Sequence, residues 1–353
     1  MEAEGGGGQG SLGSSRLVRA DARLTVVQED DSMWPLVLLL LGDSTGVFRV
    51  PVAAGESLQV SVTGTGAPVV LIPGLFGSAF GFRHVAPRLA AAGYQVIVVE
   101  PLGIGASARP ERADYSLTAQ AARIAAVLDT LAVHDAILVA HSLGASMAFR
   151  LAYRRPDLAR AVVSLEGGPA EAAATPSFRR AMRFAPWIKW FGGVRRIRGK
   201  VRSGLIAASG DSHWVTDSVV DAYTAGAAAD LDATLKAFLR MTAVSEPERL
   251  VPHLREVRCP VWLLLGTAPH DGRVPPGDVE LLRQGLSFLT IDSVPGSGHY
   301  IHEEQPGAVV AAVARARAAP VLGHVGEGKP VPIARRRRGD QSLVMMNSGA
   351  PSN

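Results

Sequence analysis

The sequence predicts an α/β fold: a mostly parallel central sheet flanked by helices, with a helical cap inserted after the sixth strand. Three observations point there. From residue 47, short continuous apolar runs alternate with segments of helical period, which implies right-handed crossovers onto one sheet. The alternation stops at about Gly168 and resumes near residue 251, leaving an Ala-rich block with no strand between. The chain has 353 residues, 47% of them hydrophobic, enough for one large domain with an insertion.

The elements follow in order. "VFRVPV" and "SLQVSVTG" read as short strands around a turn at "AAGE". "APVVLIPG" is a continuous apolar run, the pattern of a strand buried on both faces. "FRHVAPRLAAAG" fits a helix closed by Gly93, and "YQVIVVEP" a second buried strand. "LTAQAARIAAVLDTLA" has helical spacing, "DAILVA" is strand, and "SLGASMAFRLAYRRP" is a helix stopped before Pro156. "ARAVVSLEG" is the sixth strand; "CPVWLLLG", "SFLTIDSV" and a last helix, "PGAVVAAVARARAA", complete the series. The resulting division is a tail over 1–46, a first core part over 47–167, a helical cap over 168–250, a second core part over 251–318, and a basic tail over 319–353.

Both ends differ from the middle. "EAEGGGGQGSLGSS" and the last thirty or so residues lack apolar period and read as disordered. The net charge of +4 equals what Arg335 to Arg338 alone supply, so the folded part is near neutral and no nucleic-acid partner is expected. Weak membrane-surface contact through the cap or the basic tail stays open, and oligomeric state is not legible. The single cysteine, Cys259, excludes an intrachain disulfide and fits a reducing compartment. "SMWPLVLLLLGDS" is too short to span a bilayer and follows acidic "QEDD" where an export signal carries positive charge. A cytoplasmic location is expected, or export if translation starts at Met33.

The chemistry concentrates at "LVAHSLGAS". A strand, then small-x-Ser-x-small, then a helix is the nucleophile-elbow arrangement, with Ala140 and Gly144 as the small residues around Ser142. His141 orients or packs. "PGSGHYIHEEQP" places His299 on a loop after the last strand, where an imidazole can act as general base; His302 reads as a surface or capping residue.

Five stretches in order, "VVLIPGLFGS", "VEPLGIGASARP", "VAHSLGASMA", "CPVWLLLG" and "VPGSGHYIHEEQP", resemble the cap-bearing branch of the α/β-hydrolase superfamily over residues 47–318. The resemblance implies a serine hydrolase, esterase- or lipase-like, that needs no metal or organic cofactor. It implies Ser142 as nucleophile, His299 as base, and backbone N–H groups of Leu75 and Leu143 as oxyanion hole, with Gly74 and Phe76 lining the site. Pro73-Gly74 stands where the family commonly has His-Gly. The acid is divided: Asp271 fits by its distance to "VPP" but lies two residues further from Gly266 than the family pattern, and Glu166 is the alternative. In the cap, "FRRAMRFAPWIKWFGGVRRIRGKVR" suggests an apolar tunnel lined by Phe184, Trp187, Trp190 and Phe191, hence a hydrophobic small-molecule substrate. An aspartate at position 142 would point to dehalogenase or epoxide hydrolase chemistry. The same triad also serves C–C hydrolysis, acyl transfer and perhydrolysis, and a non-catalytic ligand-binding protein is the competing class.

Overall fold

A computed structural model describes residues 18–20, 23–25, 46–174, 176–183 and 193–320. Most of both expected tails, the run "SMWPLVLLLLGDS", Arg335 to Arg338 and the aromatic residues Phe184, Trp187, Trp190 and Phe191 lie outside them. The strands are β1 (Val18–Ala20), β2 (Arg23–Thr25), β3 (Gly46–Ala53), β4 (Glu56–Thr63), β5 (Ala67–Ile72), β6 (Tyr94–Val99), β7 (Ala136–His141), β8 (Ala159–Leu165), β9 (Val261–Gly266) and β10 (Leu289–Val294). They form one sheet in the order β1-β2-β3-β4-β6-β5-β7-β8-β9-β10. Pairings from β6 to β10 are all parallel, and β4 runs antiparallel to both β3 and β6.

The continuous apolar runs are explained by burial on both faces. In β5, Val69 and Leu71 enter one core layer while Val70 and Ile72 enter the other; in β7, Ile137 and Val139 alternate with Leu138 and Ala140 in the same way. Strand period two sends neighbours to opposite sides, so helices must cover both. One layer is closed by helices α2 (Leu117–Thr130) and α3 (Leu143–Arg154), through Leu117, Ile124, Phe149 and Leu151. The other is closed by α1 (Ala86–Ala91) and the C-terminal helix Pro306–Ala318, through Leu89, Val309 and Val313.

Three details depart from the sequence expectation. β1 and β2, expected as tail, extend the sheet edge, with Thr25 paired to Val47. The first helix is shorter than expected: a 3₁₀ turn at Ala79–Phe82 precedes it, and Pro87 sits in its first turn, where a missing N–H costs nothing. A helix at Pro276–Gly285, between β9 and β10, was hidden behind Pro275 and Pro276.

The block between β8 and β9 is helical, as expected: α4 (Pro176–Met182), α5 (Gly193–Ala208), α6 (Asp217–Ala229) and α7 (Leu231–Ala243). Thr216 and Asp230 cap α6 and α7 by accepting N–H bonds from Val219 and Ala233. No helix among the described residues is long and apolar enough to cross a membrane.

Arg150, fully buried in α3, ties both stems of this block to the core. Its guanidinium donates to the Ala170 carbonyl (3.1 Å) and to Glu171 Oε2 (3.4 Å) at the entry, and lies 3.7 Å from Glu246 Oε2 at the exit. Those carboxylates are themselves occupied: Glu246 accepts from the Leu117 and Thr118 amides at the start of α2, and Glu171 from Leu250 and Val251. Removing one partner of a buried charge network leaves the others uncompensated. Arg150→Met is therefore expected to cost about 3–5 kcal/mol of stability. Urea denaturation measures it, and a loss below about 1 kcal/mol would show the network to be dispensable.

Candidate active site

Among the described residues, the loops that carry Leu75, Ser142, Glu166, Asp271 and His299 leave the carboxyl edge of the parallel sheet, where open α/β sheets place their ligands. Ser142 sits between β7 and α3 with φ +53° and ψ −120°, outside the comfortable regions for a side chain with Cβ. Its N–H donates to the Leu165 carbonyl (2.9 Å) and its carbonyl accepts from Ala145 (3.0 Å), so both neighbouring elements hold the turn. Space around it is scarce. A Cβ on Gly144 would come within 2.8 Å of the Ile72 and Pro73 carbonyl oxygens, and one on Gly167 within 2.6 Å of the Ser142 carbonyl oxygen. The second small position is thus required by the end of β5 rather than by crowding against Ala140.

Two amide hydrogens face no competitor at this turn. Among the described residues, neither Leu75 N–H nor Leu143 N–H meets a backbone or side-chain acceptor. The Leu75 loop is held from outside: Gly77 N–H bonds the Gly74 carbonyl (3.0 Å), and Ala79 N–H donates to Glu100 Oε1 (2.7 Å). Glu100 also accepts from Ala106 N–H (2.6 Å), so this buried carboxylate at the end of β6 fastens the "PLGIGAS" loop to the Leu75 loop. Burial raises its pKa, and the two amides oppose that shift. Gly74 is buried, its missing Cβ leaving 3.1 Å to the Ser142 Cβ.

His299 and Ser142 line the same cavity, of about 1130 Å³. The loops after β10 and β9 are both fastened to the cap, because His299 N–H donates to the Ala208 carbonyl (2.8 Å) and Asp271 N–H to that of Ala207 (2.9 Å). These are last-turn carbonyls of α5 that a helix cannot satisfy internally. His141, also buried, bonds through Nε2 to the His299 carbonyl (3.0 Å) and so fixes the loop from below.

The carboxylates separate clearly. Asp271 is exposed at the cavity wall, and among the described residues its side chain makes no hydrogen bond or ion pair. Glu166 is buried at the end of β8, with φ +46°. Its Oε1 accepts from Gly266 N–H (2.5 Å) and its Oε2 from Val274 N–H (3.2 Å). One carboxylate oxygen, one ring nitrogen of His270 and one of His299 lie within 4.8 Å of each other. The Nδ1 of His299 is buried and has no hydrogen-bond partner. Burial pushes Glu166 above the ordinary carboxylate range, against the pull of the two amides and of His270.

His302 corrects its expectation. It is buried, against Phe82 (centroids 5.0 Å apart), and only 4.4 Å from the His141 ring. Burial lowers His299 to about 4 and His302 to about 3, with the other histidines adding to the shift, and takes His141 well below its ordinary value. Folded pKa values below the unfolded one mean that the unfolded chain binds more protons as pH falls through 6.5. Each ring therefore withdraws stability on acidification by about 1.4 kcal/mol per pH unit until its folded pKa is reached. The raised carboxylates Glu100, Glu166 and Glu303 act in the opposite sense. A difference measurement isolates the histidine: His302→Leu is expected to flatten the pH dependence of stability between pH 6 and 4.5 by about that slope. Equal slopes for both proteins would refute the burial argument.

The cap supplies the apolar wall. Phe76 at the Leu75 loop, Phe178 of α4 and Phe238 of α7 meet edge to face, with centroids 5.4 to 5.7 Å apart. Met182, Leu205 and Leu235 extend the lining. Phe178 stands in the aromatic stretch singled out from the sequence, whereas Phe238 gave no signal beyond helical period. Arg196 and Lys200, one turn apart on α5, add positive charge to the wall.

Comparison with known proteins agrees with this architecture. A family model described as "alpha/beta hydrolase fold" matches residues 67–206. A haloalkane dehalogenase of Agrobacterium fabrum is 33% identical over 125 residues, which are 35% of this chain; the chain spans only 40% of that protein's length. A 2-(acetamidomethylene)succinate hydrolase of Mesorhizobium japonicum is 26% identical over 280 residues, covering 73% of this chain and 90% of that protein. Among solved structures, the epoxide hydrolase CorEH superposes with a TM-score of 0.66 at 18% identity, covering 78% of this chain and 99% of the other. The parallel sheet, the turn at its centre and the interrupting helices are those of the α/β-hydrolase fold, and this chain has that fold.

Proposed function

We propose that the protein is a serine hydrolase that cleaves an ester or related acyl bond of a hydrophobic small molecule. The observation that carries the reading is the strained Ser142 turn, with two unoccupied amide hydrogens beside it and a buried imidazole on the same cavity. In this scheme His299 takes the Ser142 proton as Oγ attacks the carbonyl carbon, and Leu75 and Leu143 N–H hold the tetrahedral oxyanion. Collapse expels the alcohol, which receives the proton from His299. Water then attacks the acyl-enzyme with His299 again as base, and the acid leaves. Glu166 is the carboxylate placed to orient His299 and stabilise its charged form.

The hydroxyl at 142 argues against the dehalogenase and epoxide hydrolase activities of the named relatives. A carboxylate that displaces halide or opens an epoxide forms an ester, which water can cleave. A serine would form an ether, which it cannot. The aromatic wall supports an apolar acyl group, since each buried methylene contributes about 0.8 kcal/mol, or roughly fourfold in kcat/KM. From butyrate to octanoate nitrophenyl esters, kcat/KM is expected to rise by about two orders of magnitude. Preference for acetate would refute the substrate class. Failure of a fluorophosphonate to label Ser142 would refute the enzyme reading and favour a ligand-binding protein.

A further inference from the structure

We infer that Glu166, His270 and His299 form a site for a divalent transition-metal cation of the zinc class, and that the metal switches the hydrolase off. Only the second half rests on the proposed function; binding is a claim about three side chains.

His270 carries the argument, because the proposed hydrolysis leaves it without a task. Its side chain is fully buried, like that of Glu166. Its Nδ1 lies 2.7 Å from the Ala268 carbonyl oxygen, which can only accept, so Nδ1 carries a hydrogen and the neutral ring has its lone pair on Nε2. That Nε2 lies 3.6 Å from Glu166 Oε1 and has no hydrogen-bond partner. A lone pair and a carboxylate facing each other in a buried place call for a cation between them. The buried Nδ1 of His299, also without a partner, lies on the third ligand of the group.

The surroundings are those of a metal site. Ligating histidines typically donate the second ring N–H to a backbone carbonyl, as His270 does to Ala268, and ligating carboxylates are held by further hydrogen bonds, as Glu166 is by Gly266 and Val274. Two imidazoles and a carboxylate with room for a fourth ligand suit zinc, copper or nickel rather than magnesium or calcium. The ligand atoms, within 4.8 Å of one another, need to approach to about 3.5 Å for metal–ligand distances near 2.1 Å. That approach of about 1 Å needs a small shift of the loop bearing His270, whose neighbours Thr267, Pro269 and Asp271 to Arg273 are exposed. A bound cation would take the imidazole needed as base and the carboxylate that orients it.

The test uses Ser142→Ala protein, stripped of metal, which keeps all three ligands and cannot turn over. Calorimetric titration with zinc chloride is expected to show one ion per chain, bound at about 10 µM or tighter, with an X-ray absorption edge reporting nitrogen and oxygen but no sulfur ligands. His270→Gln in the same background is expected to weaken binding by about 100-fold or more, and His213→Ala, at an exposed histidine–aspartate pair, to leave it unchanged. Glu166→Gln replaces His270→Gln if the latter does not fold. In the Ser142 protein, zinc is expected to abolish ester hydrolysis with the same affinity, and a chelator to restore it. No saturable binding, or binding indifferent to His270, overturns the site; a proton on His270 then fills its place. Binding without inhibition overturns the switch. If the protein hydrolyses no ester, the calorimetric arm still decides the site while the functional reading fails.

Discussion

Ser142→Ala is expected to lower kcat by about 10⁴- to 10⁶-fold, the loss seen when a nucleophile is removed from a triad that acts as one unit. The turn adds a second, independent expectation. A residue with Cβ held at φ +53° costs about 1–3 kcal/mol, and alanine retains that strain while glycine does not. Ser142→Gly is thus expected to be as inactive as Ser142→Ala but more stable than it, by about 1 kcal/mol after the entropy of the freer unfolded chain is deducted. In melting temperature this is roughly 2–4 °C for a domain of this size. The pair of variants separates chemistry from geometry. An alanine variant within tenfold of wild type would remove Ser142 from the mechanism. A glycine variant no more stable than the alanine one would mean that the turn is not strained at all.

Why this turn is legible in the sequence, and other parts are not, follows from where each piece of information resides. The runs of β5, β7 and β9 announce themselves because burial on both faces leaves no polar position in the strand. The turn at Ser142 is readable because a sharp turn between strand and helix tolerates only small neighbours, whereas the expectation for His299 comes from the resemblance as well as from its place on a loop after the last strand. The helix Pro276–Gly285 was not, since two prolines that break a helix interior also open a first turn. The pairing of β1 and β2 was not, because edge pairing is a property of the partner strand. His302 looked like a surface residue since nothing local distinguishes a histidine facing solvent from one packed on Phe82. The acid was the hardest. Local spacing favoured Asp271, but the direction in which a loop presents its side chains depends on what holds its backbone. Here the cap holds the Asp271 amide and leaves the residue exposed at the cavity wall, whereas Glu166 is buried beside His299.

Glu166→Gln should therefore lower kcat by about 10⁴-fold, and Asp271→Asn by less than about threefold. The two substitutions are matched in shape and both remove one charge, so the contrast depends on position alone. A glutamine at 166 keeps the size of the side chain but cannot stabilise the imidazolium of His299. It also turns an amide NH₂ toward the N–H of Gly266 or Val274, so the buried position carries donors facing donors. That conflict costs about 1–3 kcal/mol of stability, and a fall in melting temperature should accompany the loss of turnover. Fluorophosphonate labelling distinguishes a damaged triad from a collapsed site, since folded Glu166→Gln protein should still react slowly while unfolded protein should not. Asp271→Asn, exposed and without a side-chain partner, should melt like wild type. Should Asp271→Asn prove the more damaging, the loop must reorient on substrate binding and the assignment reverses. Should both retain more than about a tenth of wild-type turnover, His299 would have no carboxylate partner here, and the triad reading would fail.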